Sequence, residues 1–245
     1  MTSSRWHAHG NVYLVAETDE YTMDPELDGV MQILEIDGDD VIVAIVNPDG
    51  SLAEMSGNGT RIAAAWLMDR TGSDVARVHV GPRLIEVRRV GERLYESDMG
   101  EVLVGPRETV DEIELTPVDV GNPHAVVQGD PAELPTVGPL LETHPRFPNR
   151  TNVQVARIDG PGEVTARVWE RGVGETQSCG TGACASAAVA HRRGLVGEHV
   201  RVDVLGGSLA VALGANVRLG GPVVHVFDLV MARKPLLESL APPTA

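Results

Sequence analysis

The sequence predicts an α+β protein built from two similar lobes, and three observations predict it. Ser56-Gly57-Asn58-Gly59-Thr60-Arg61-Ile62-Ala63-Ala64-Ala65 lines up with Cys179-Gly180-Thr181-Gly182-Ala183-Cys184-Ala185-Ser186-Ala187-Ala188, 123 positions later in a chain of 245. Other pairs follow in the same order near that offset: Met99-Gly100-Glu101-Val102 with Gly220-Gly221-Pro222-Val223, and Gly81-Pro82-Arg83-Leu84 with Gly206-Gly207-Ser208-Leu209. Each half also combines short β-branched runs with one alanine-rich stretch opened by Gly-x-Gly. A repeat at this spacing means one structural unit used twice, here with a junction near residue 113. Gly10-Asn11 matches Gly121-Asn122 at a shorter offset, as if the first half had lost about a dozen residues.

Val41 to Val46 is an apolar run between Asp39-Asp40 and Asn47-Pro48-Asp49-Gly50, a strand followed by a turn. Gly57 to Gly59 then opens an alanine-rich helix through Met68, with no breaker inside it. Arg83 to Val90 alternates as a strand does. In the second half Val164 to Trp169 is a strand, a glycine-rich turn follows, and a helix runs from about Thr181 to His191. Val200 to Leu205 and Val223 to Val230 read as further strands. Helices so rich in small residues fit where other backbones press close, as at the centre of a wrapped sheet. The Pro235–Ala245 tail, with Pro242-Pro243, reads as frayed.

Hydrophobic residues make up 42% and charged residues 22%, enough apolar content to bury a core. Asp and Glu number 35 against 20 Lys and Arg, a net charge of −15, which repels phosphate backbones and anionic membranes. Nucleic acid and membrane are therefore not expected as partners. Two cysteines make no disulfide framework, no run approaches 18 apolar residues, and Met1–Gly10 lacks a signal-peptide core, so a cytoplasmic protein is expected. Lys234 is the one lysine, a poorly placed candidate for a pyridoxal phosphate Schiff base. Neither H-E-x-x-H nor paired C-x-x-C occurs. No cofactor and no metal are expected.

Gly-x-Gly at a helix start leaves backbone N–H groups unpaired at the positive end of the helix dipole, a site for an anion. Neither copy is a phosphate loop, since no lysine follows and G-x-G-x-x-G is absent. Two such starts related by a pseudo-twofold would converge on one carboxylate. Immediately before each stands a small nucleophile, Ser56 in one half and Cys179 in the other. A helix N-terminus favours a thiolate, so Cys179 is expected below the free-cysteine pKa of ~8.5. A soft base beside a carboxylate site suits proton removal α to that carboxylate. A second group behind the carbon would return the proton to the other face, and the result is stereoinversion.

These residues resemble the diaminopimelate epimerase family, a cofactor-independent group within the superfamily that includes proline racemase. The likeness runs through His9-Gly10-Asn11, Asn47-Pro48-Asp49-Gly50, Met55-Ser56-Gly57-Asn58-Gly59, Met99-Gly100-Glu101, Gly121-Asn122-Pro123-His124 and Thr151-Asn152-Val153. It continues through Trp169-Glu170-Arg171-Gly172-Val173-Gly174-Glu175-Thr176-Gln177-Ser178-Cys179-Gly180-Thr181-Gly182 and Gly221-Pro222-Val223-Val224-His225-Val226. The resemblance implies two pseudo-symmetric lobes, each a mixed β-sheet wrapped around a central α-helix, with the site in the cleft between them. It implies lobes of residues 1–113 and 114–221, with 222–234 returning as a strand to the first. The reacting α-carboxylate of a small amino-acid substrate would lie on the amides of Gly57, Asn58, Gly180 and Thr181. Asn47, Asn152 and Arg171 match residues that grip the distal carboxylate and amine, while Asn11, Asn122 and Glu170 match others lining the pocket. Family members often pair as homodimers.

The family's acid–base pair is two cysteines, and Ser56 replaces the first. An unassisted alkoxide is out of reach near neutral pH. Two readings stand: the serine is a deliberate near-isosteric replacement that holds substrate without turnover, or it is native, with a one-thiol reaction or lost epimerisation. In either, Cys179 alone could exchange the α-proton of one stereoisomer. The advance of only 17 residues from Asn11 to Asp28 is a second departure, thinning the edge of the first lobe and opening the choice of amino acid.

Other residues have plainer readings. Cys184 is expected as a buried small hydrophobe. His124 either lines the pocket or holds its loop, Glu175 either satisfies backbone amides at the helix start or is catalytic, and His225 is a satisfied strand histidine. Arg88-Arg89 and Arg192-Arg193 are solvated pairs, and Asp37-Gly38-Asp39-Asp40 is a turn. Three other functions fit parts of the pattern: a related racemase, epimerase or α,β-elimination enzyme acting on another amino acid with Ser56 native, a thiol hydrolase built on Cys179, His124 and Asn122, and a non-catalytic amino-acid binding protein.

Overall fold

The computed structural model describes residues 2–18, 21, 23–53 and 56–230. Met55, Lys234, the last part of the expected returning strand and the Pro235–Ala245 tail lie outside the described residues. Three α-helices occur among those described: α1 (Gly57–Thr71), α2 (Leu134–Glu142) and α3 (Gly180–Arg192). None is long and apolar enough to cross a membrane.

The fold is α+β, with two lobes that each wrap a mixed sheet around one helix. Strands Thr2–Ala8, Asn11–Ala16, Asp40–Val46, Val75–Val80, Arg83–Gly91 and Leu94–Asp98 surround α1. Strands Ile113–Asp119, Pro123–Gln128, Asn152–Gly160, Glu163–Glu170, His199–Val204 and Gly207–Ala212 surround α3. Every residue from Gly57 to Met68 is buried, as is every residue from Gly180 to Ala190. A helix buried all round has no polar face to show, and the alanine runs supply the small side chains that let surrounding strands approach.

The repeat in the sequence reappears as a repeat in pairing. Asn11–Ala16 runs parallel to Gly29–Asp37, as Pro123–Gln128 runs parallel to Asn152–Gly160. Asp40–Val46 reaches its parallel neighbour Val75–Val80 through α1, and Glu163–Glu170 reaches His199–Val204 through α3. Parallel neighbours need a crossover of about a dozen residues or more, usually helical, and here each central helix is that crossover. The halves differ at the other crossover. In the second it carries α2, which packs Leu134 and Leu141 on Val127, Val153 and Val155. In the first it is the short connection between Ala16 and Gly29, without a helix among the described residues. Helix α2 has no clear signal in the sequence, because Pro135 and Pro139 break its periodicity. Pro135 stands in the first turn, where its missing N–H costs little.

Two seams join the lobes. Arg218–Pro222 pairs antiparallel with Leu94–Asp98, and Val224–Val230 pairs antiparallel with Thr2–Ala8. The first of these pairings has no local signal in the sequence. At the centre the two helix starts abut: a Cβ added to Gly180 would lie 2.6 Å from Leu219 Cδ2 and 3.3 Å from Gly57 Cα. A side chain on either glycine would have to displace Leu219 and push the facing helix start back by a few tenths of an ångström. Gly180→Ala is therefore expected to cost about 1–3 kcal/mol of stability through overpacking, read as a lower denaturant midpoint. An unchanged midpoint would show that this contact is not tight.

Candidate active site

Ser56 and Cys179 occupy equivalent cap positions. Each has extended backbone (φ −139°, ψ 116° and φ −130°, ψ 112°) and turns its side chain onto the third residue of its helix. Ser56 Oγ accepts from the Gly59 N–H at 2.9 Å, and Cys179 Sγ accepts from the Gly182 N–H at 3.4 Å. Capping of this kind satisfies one of the orphan amides and leaves earlier ones free. Both residues open on one cavity of about 350 Å³. The ten other residues named from the sequence line it too: Asn11, Asn47, Gly57, Asn58, Asn122, Asn152, Glu170, Arg171, Gly180 and Thr181.

Their orientations are set by a chain of bonds. Arg61, fully buried on α1, donates through Nη2 to Asn58 Oδ1, so the Asn58 amide group points the other way. It donates to Asn11 Oδ1 at 2.5 Å and to Ser178 Oγ at 3.3 Å, tying the first lobe to the second. Burial lowers Arg61 to about 10, which still leaves it charged at neutral pH. Asn152 is a bracket: its Nδ2 donates to the Pro123 carbonyl at 2.9 Å and its Oδ1 accepts from the Arg171 N–H at 3.0 Å. That holds the Arg171 backbone at the cavity rim. Asn47 Nδ2 donates to Ser51 Oγ at 3.0 Å.

The electrostatics of Cys179 reverse the expectation from its helix position. Its thiol stands well above the ordinary range, first because it is buried and next because the Glu170 carboxyl lies beside it. Bonds from Thr181 and the Gly182 amide pull the other way and lose. A helix end favours a thiolate when the sulfur is also partly solvated, and here only 7% of Cys179 is exposed. Glu170 is itself raised by burial, while bonds from Thr176 Oγ1, at 2.6 Å, and from Cys179 oppose the rise. Carboxyl and thiol thus hold protons more tightly than either would in water, and they sit within reach of each other.

His124 is fully buried behind Asn122. Its ring nitrogens face Asn122 Oδ1 at 3.0 Å and Gln154 Oε1 at 3.1 Å, and burial pushes it down to about 4, so it is neutral. Neither nitrogen faces the thiol, which a thiol–imidazole hydrolase pair requires. Asn122 Nδ2 instead donates to Thr181 Oγ1 at 3.4 Å, and that oxygen lies 3.3 Å from Cys179 Sγ. Glu175 does not satisfy helix amides: it takes a bidentate pair of bonds from Arg167, at 2.5 and 2.7 Å. Cys184 is fully buried, and burial pushes it up to about 12. Arg88 and Arg89 are paired with Glu86 and Asp69, and His225 bonds Asp228 Oδ1 at 3.0 Å.

Tyr13, Asp28 and Ser178, not expected from the sequence as site residues, also line the cavity. Tyr13 had a signal: it follows Asn11 by two on a strand, and residues i and i+2 share a face. Its hydroxyl lies 3.3 Å from Ser56 Oγ. Among the described residues no group of three His, Cys, Asp or Glu side chains is arranged to hold a metal ion.

The chain has known relatives in both sequence and fold. The sequence model of the diaminopimelate epimerase family matches residues 9–104 and 116–225. The chain is 38% identical to the diaminopimelate epimerase of Pelotomaculum thermopropionicum, over 82% of each chain, and 39% identical to that of Azotobacter vinelandii, over 75% of each. In fold it is similar to a predicted epimerase from Pseudomonas aeruginosa (TM-score 0.76, 18% identity, 94% of this chain and 98% of that one). It is similar again to a hydroxyproline epimerase from Agrobacterium vitis solved with trans-4-hydroxy-L-proline (TM-score 0.73, 17% identity, 94% and 91%). With a shared fold, a shared sequence pattern over most of its length and both helix starts on one cavity, the chain belongs to the diaminopimelate epimerase family and is an isomerase of the amino-acid epimerase and racemase kind.

Proposed function

We propose that the protein interconverts LL- and meso-diaminopimelate without a cofactor, by taking the α-proton on one face and returning a proton on the other, at a rate limited by Ser56. The observation that carries this reading is the pair of abutting helix starts whose cap side chains, Ser56 and Cys179, open on one cavity. The amides of Gly57, Asn58, Gly180 and Thr181 receive the α-carboxylate, where helix dipoles favour negative charge. Arg171, with Asn47 and Asn152, receives the distal carboxylate and amine, a guanidinium fork being suited to a carboxylate. Asn11 and Asn122 line the walls between. Cys179 is the base, and Glu170 beside it takes the thiol proton so that thiolate forms when substrate has displaced water. The lobes of this reading divide near residue 113, with 222–234 returning to the first, and the protein works in the cytoplasm as a homodimer.

The test is α-proton exchange in deuterated water. Cys179 faces one side of the carbon, so one of the two isomers is expected to exchange much faster than the other, with epimerisation lagging behind. Because the thiol passes its proton to Glu170, the reactive pair carries one proton in all, so exchange is expected to rise with pH while Glu170, raised by burial, is ionising and then to level off. Equal and fast exchange in both isomers, or none in either, would overturn the assignment.

A further inference from the structure

Ser56 is not alone on its face of the cavity. The strand Asn11–Ala16 carries Tyr13 on the same side as Asn11, with its ring buried and its hydroxyl 3.3 Å from Ser56 Oγ. Ser56 Oγ already accepts the Gly59 N–H at 2.9 Å. A hydroxyl oxygen has two acceptor positions and one hydrogen. When the Tyr13 hydroxyl donates into the other position, the serine hydrogen is left for the cavity that both residues line.

We propose that Tyr13 is the proton source behind Ser56, so that serine and phenol together form the second acid of the reaction. The step balances as two concerted transfers. The Ser56 O–H bond breaks as a new C–H bond forms on the substrate carbanion, and the Tyr13 O–H bond breaks as its hydrogen passes to Ser56 Oγ. Negative charge moves from carbon to the phenolate, and a solvent proton restores the phenol. This rests on the epimerase reading above and adds a group that reading lacks.

Chemistry favours the relay over serine alone. An alcohol acting by itself would be left as an alkoxide, whose conjugate acid ionises far above a phenol. Burial pushes Tyr13 up to about 12, with Glu170, Asp28 and Cys179 adding to the rise and the bond to Ser56 opposing it. The phenol remains much the easier of the two to ionise. Phenolate is nevertheless scarce at neutral pH, so this face delivers a proton more readily than it collects one, and it is the slow face.

Tyr13→Phe removes the hydroxyl and keeps the ring that packs on Gly29. In deuterated water with LL- and meso-diaminopimelate, this variant is expected to lose epimerisation by about 100-fold, within the range of acid–base contributions. Exchange on the Cys179 face should stay within about threefold of the parent, a split that a merely structural role would not produce. A double-mutant cycle adds a second readout. A thiol at position 56 brings its own proton, so Tyr13→Phe should cost at least about 30-fold more with serine at 56 than in Ser56→Cys. Exchange with epimerisation unmoved by Tyr13→Phe, or equal penalties in the two backgrounds, overturns the relay alone. Absence of exchange in either isomer overturns the epimerase reading and the relay with it.

Discussion

Cys179→Ser is expected to abolish both α-proton exchange and epimerisation, by at least about 1000-fold, or about 4 kcal/mol of barrier. The swap is conservative in shape and cap chemistry. Ser56 shows that a serine at the equivalent position accepts the third amide of its helix, at 2.9 Å, so the fold should persist. What changes is acidity. A thiol ionises near ~8.5 in water and an alcohol far above that, and a buried hydroxyl beside Glu170 has no route to a useful alkoxide. Circular dichroism and the unfolding midpoint should match the parent while deuterium incorporation vanishes. Retained exchange in Cys179→Ser would mean that another group takes the proton, with Glu170 first to be tested.

The same exchange of atoms at the other cap has the opposite sign. Ser56→Cys is expected to raise epimerisation at least about 100-fold and to bring exchange of the slower isomer close to that of the faster. A thiol there would sit at the start of α1, near the amides of Gly57, Asn58 and Gly59, and would supply a base and an acid without help. Cys179 demonstrates that a sulfur fits such a cap, with its amide donor at 3.4 Å. The measurement is the rate of interconversion of LL- and meso-diaminopimelate by each form. A gain with the cysteine ties the low rate to position 56. A lower rate in Ser56→Cys would show that the serine face is adapted to its oxygen, with a reaction other than two-thiol epimerisation.

Much of the site was legible before any coordinates because its chemistry is local. Capping nucleophile, Gly-x-Gly and alanine run lie within about ten consecutive residues, and the helix they specify follows from backbone conformation alone. Repetition at nearly half the chain length then paired the two starts. Arg171 and Glu170 were legible for a similar reason, standing in one unbroken run that ends at Cys179. Residues that reach the cavity from far along the chain were less so. Tyr13 is 43 positions from Ser56, and the bond between them depends on a strand laid across the start of α1. Helix α2 was hidden by its prolines, and its stability comes from docking Leu134 and Leu141 rather than from propensity.

By itself, the sequence determined that the molecule is a duplicated α+β unit, which residues begin its two central helices, and which side chains stand at those beginnings. Those properties depend on neighbours along the chain. Only the tertiary structure decided how acidic Cys179 is, which way Asn58 and Asn122 point, and what stands behind Ser56. Each of those depends on the loss of water and on partners contributed by distant strands. The thiol shows the division plainly: helix position argues for a lowered pKa, and burial beside Glu170 raises it instead, because removing solvent from a charge costs more than one helix end returns.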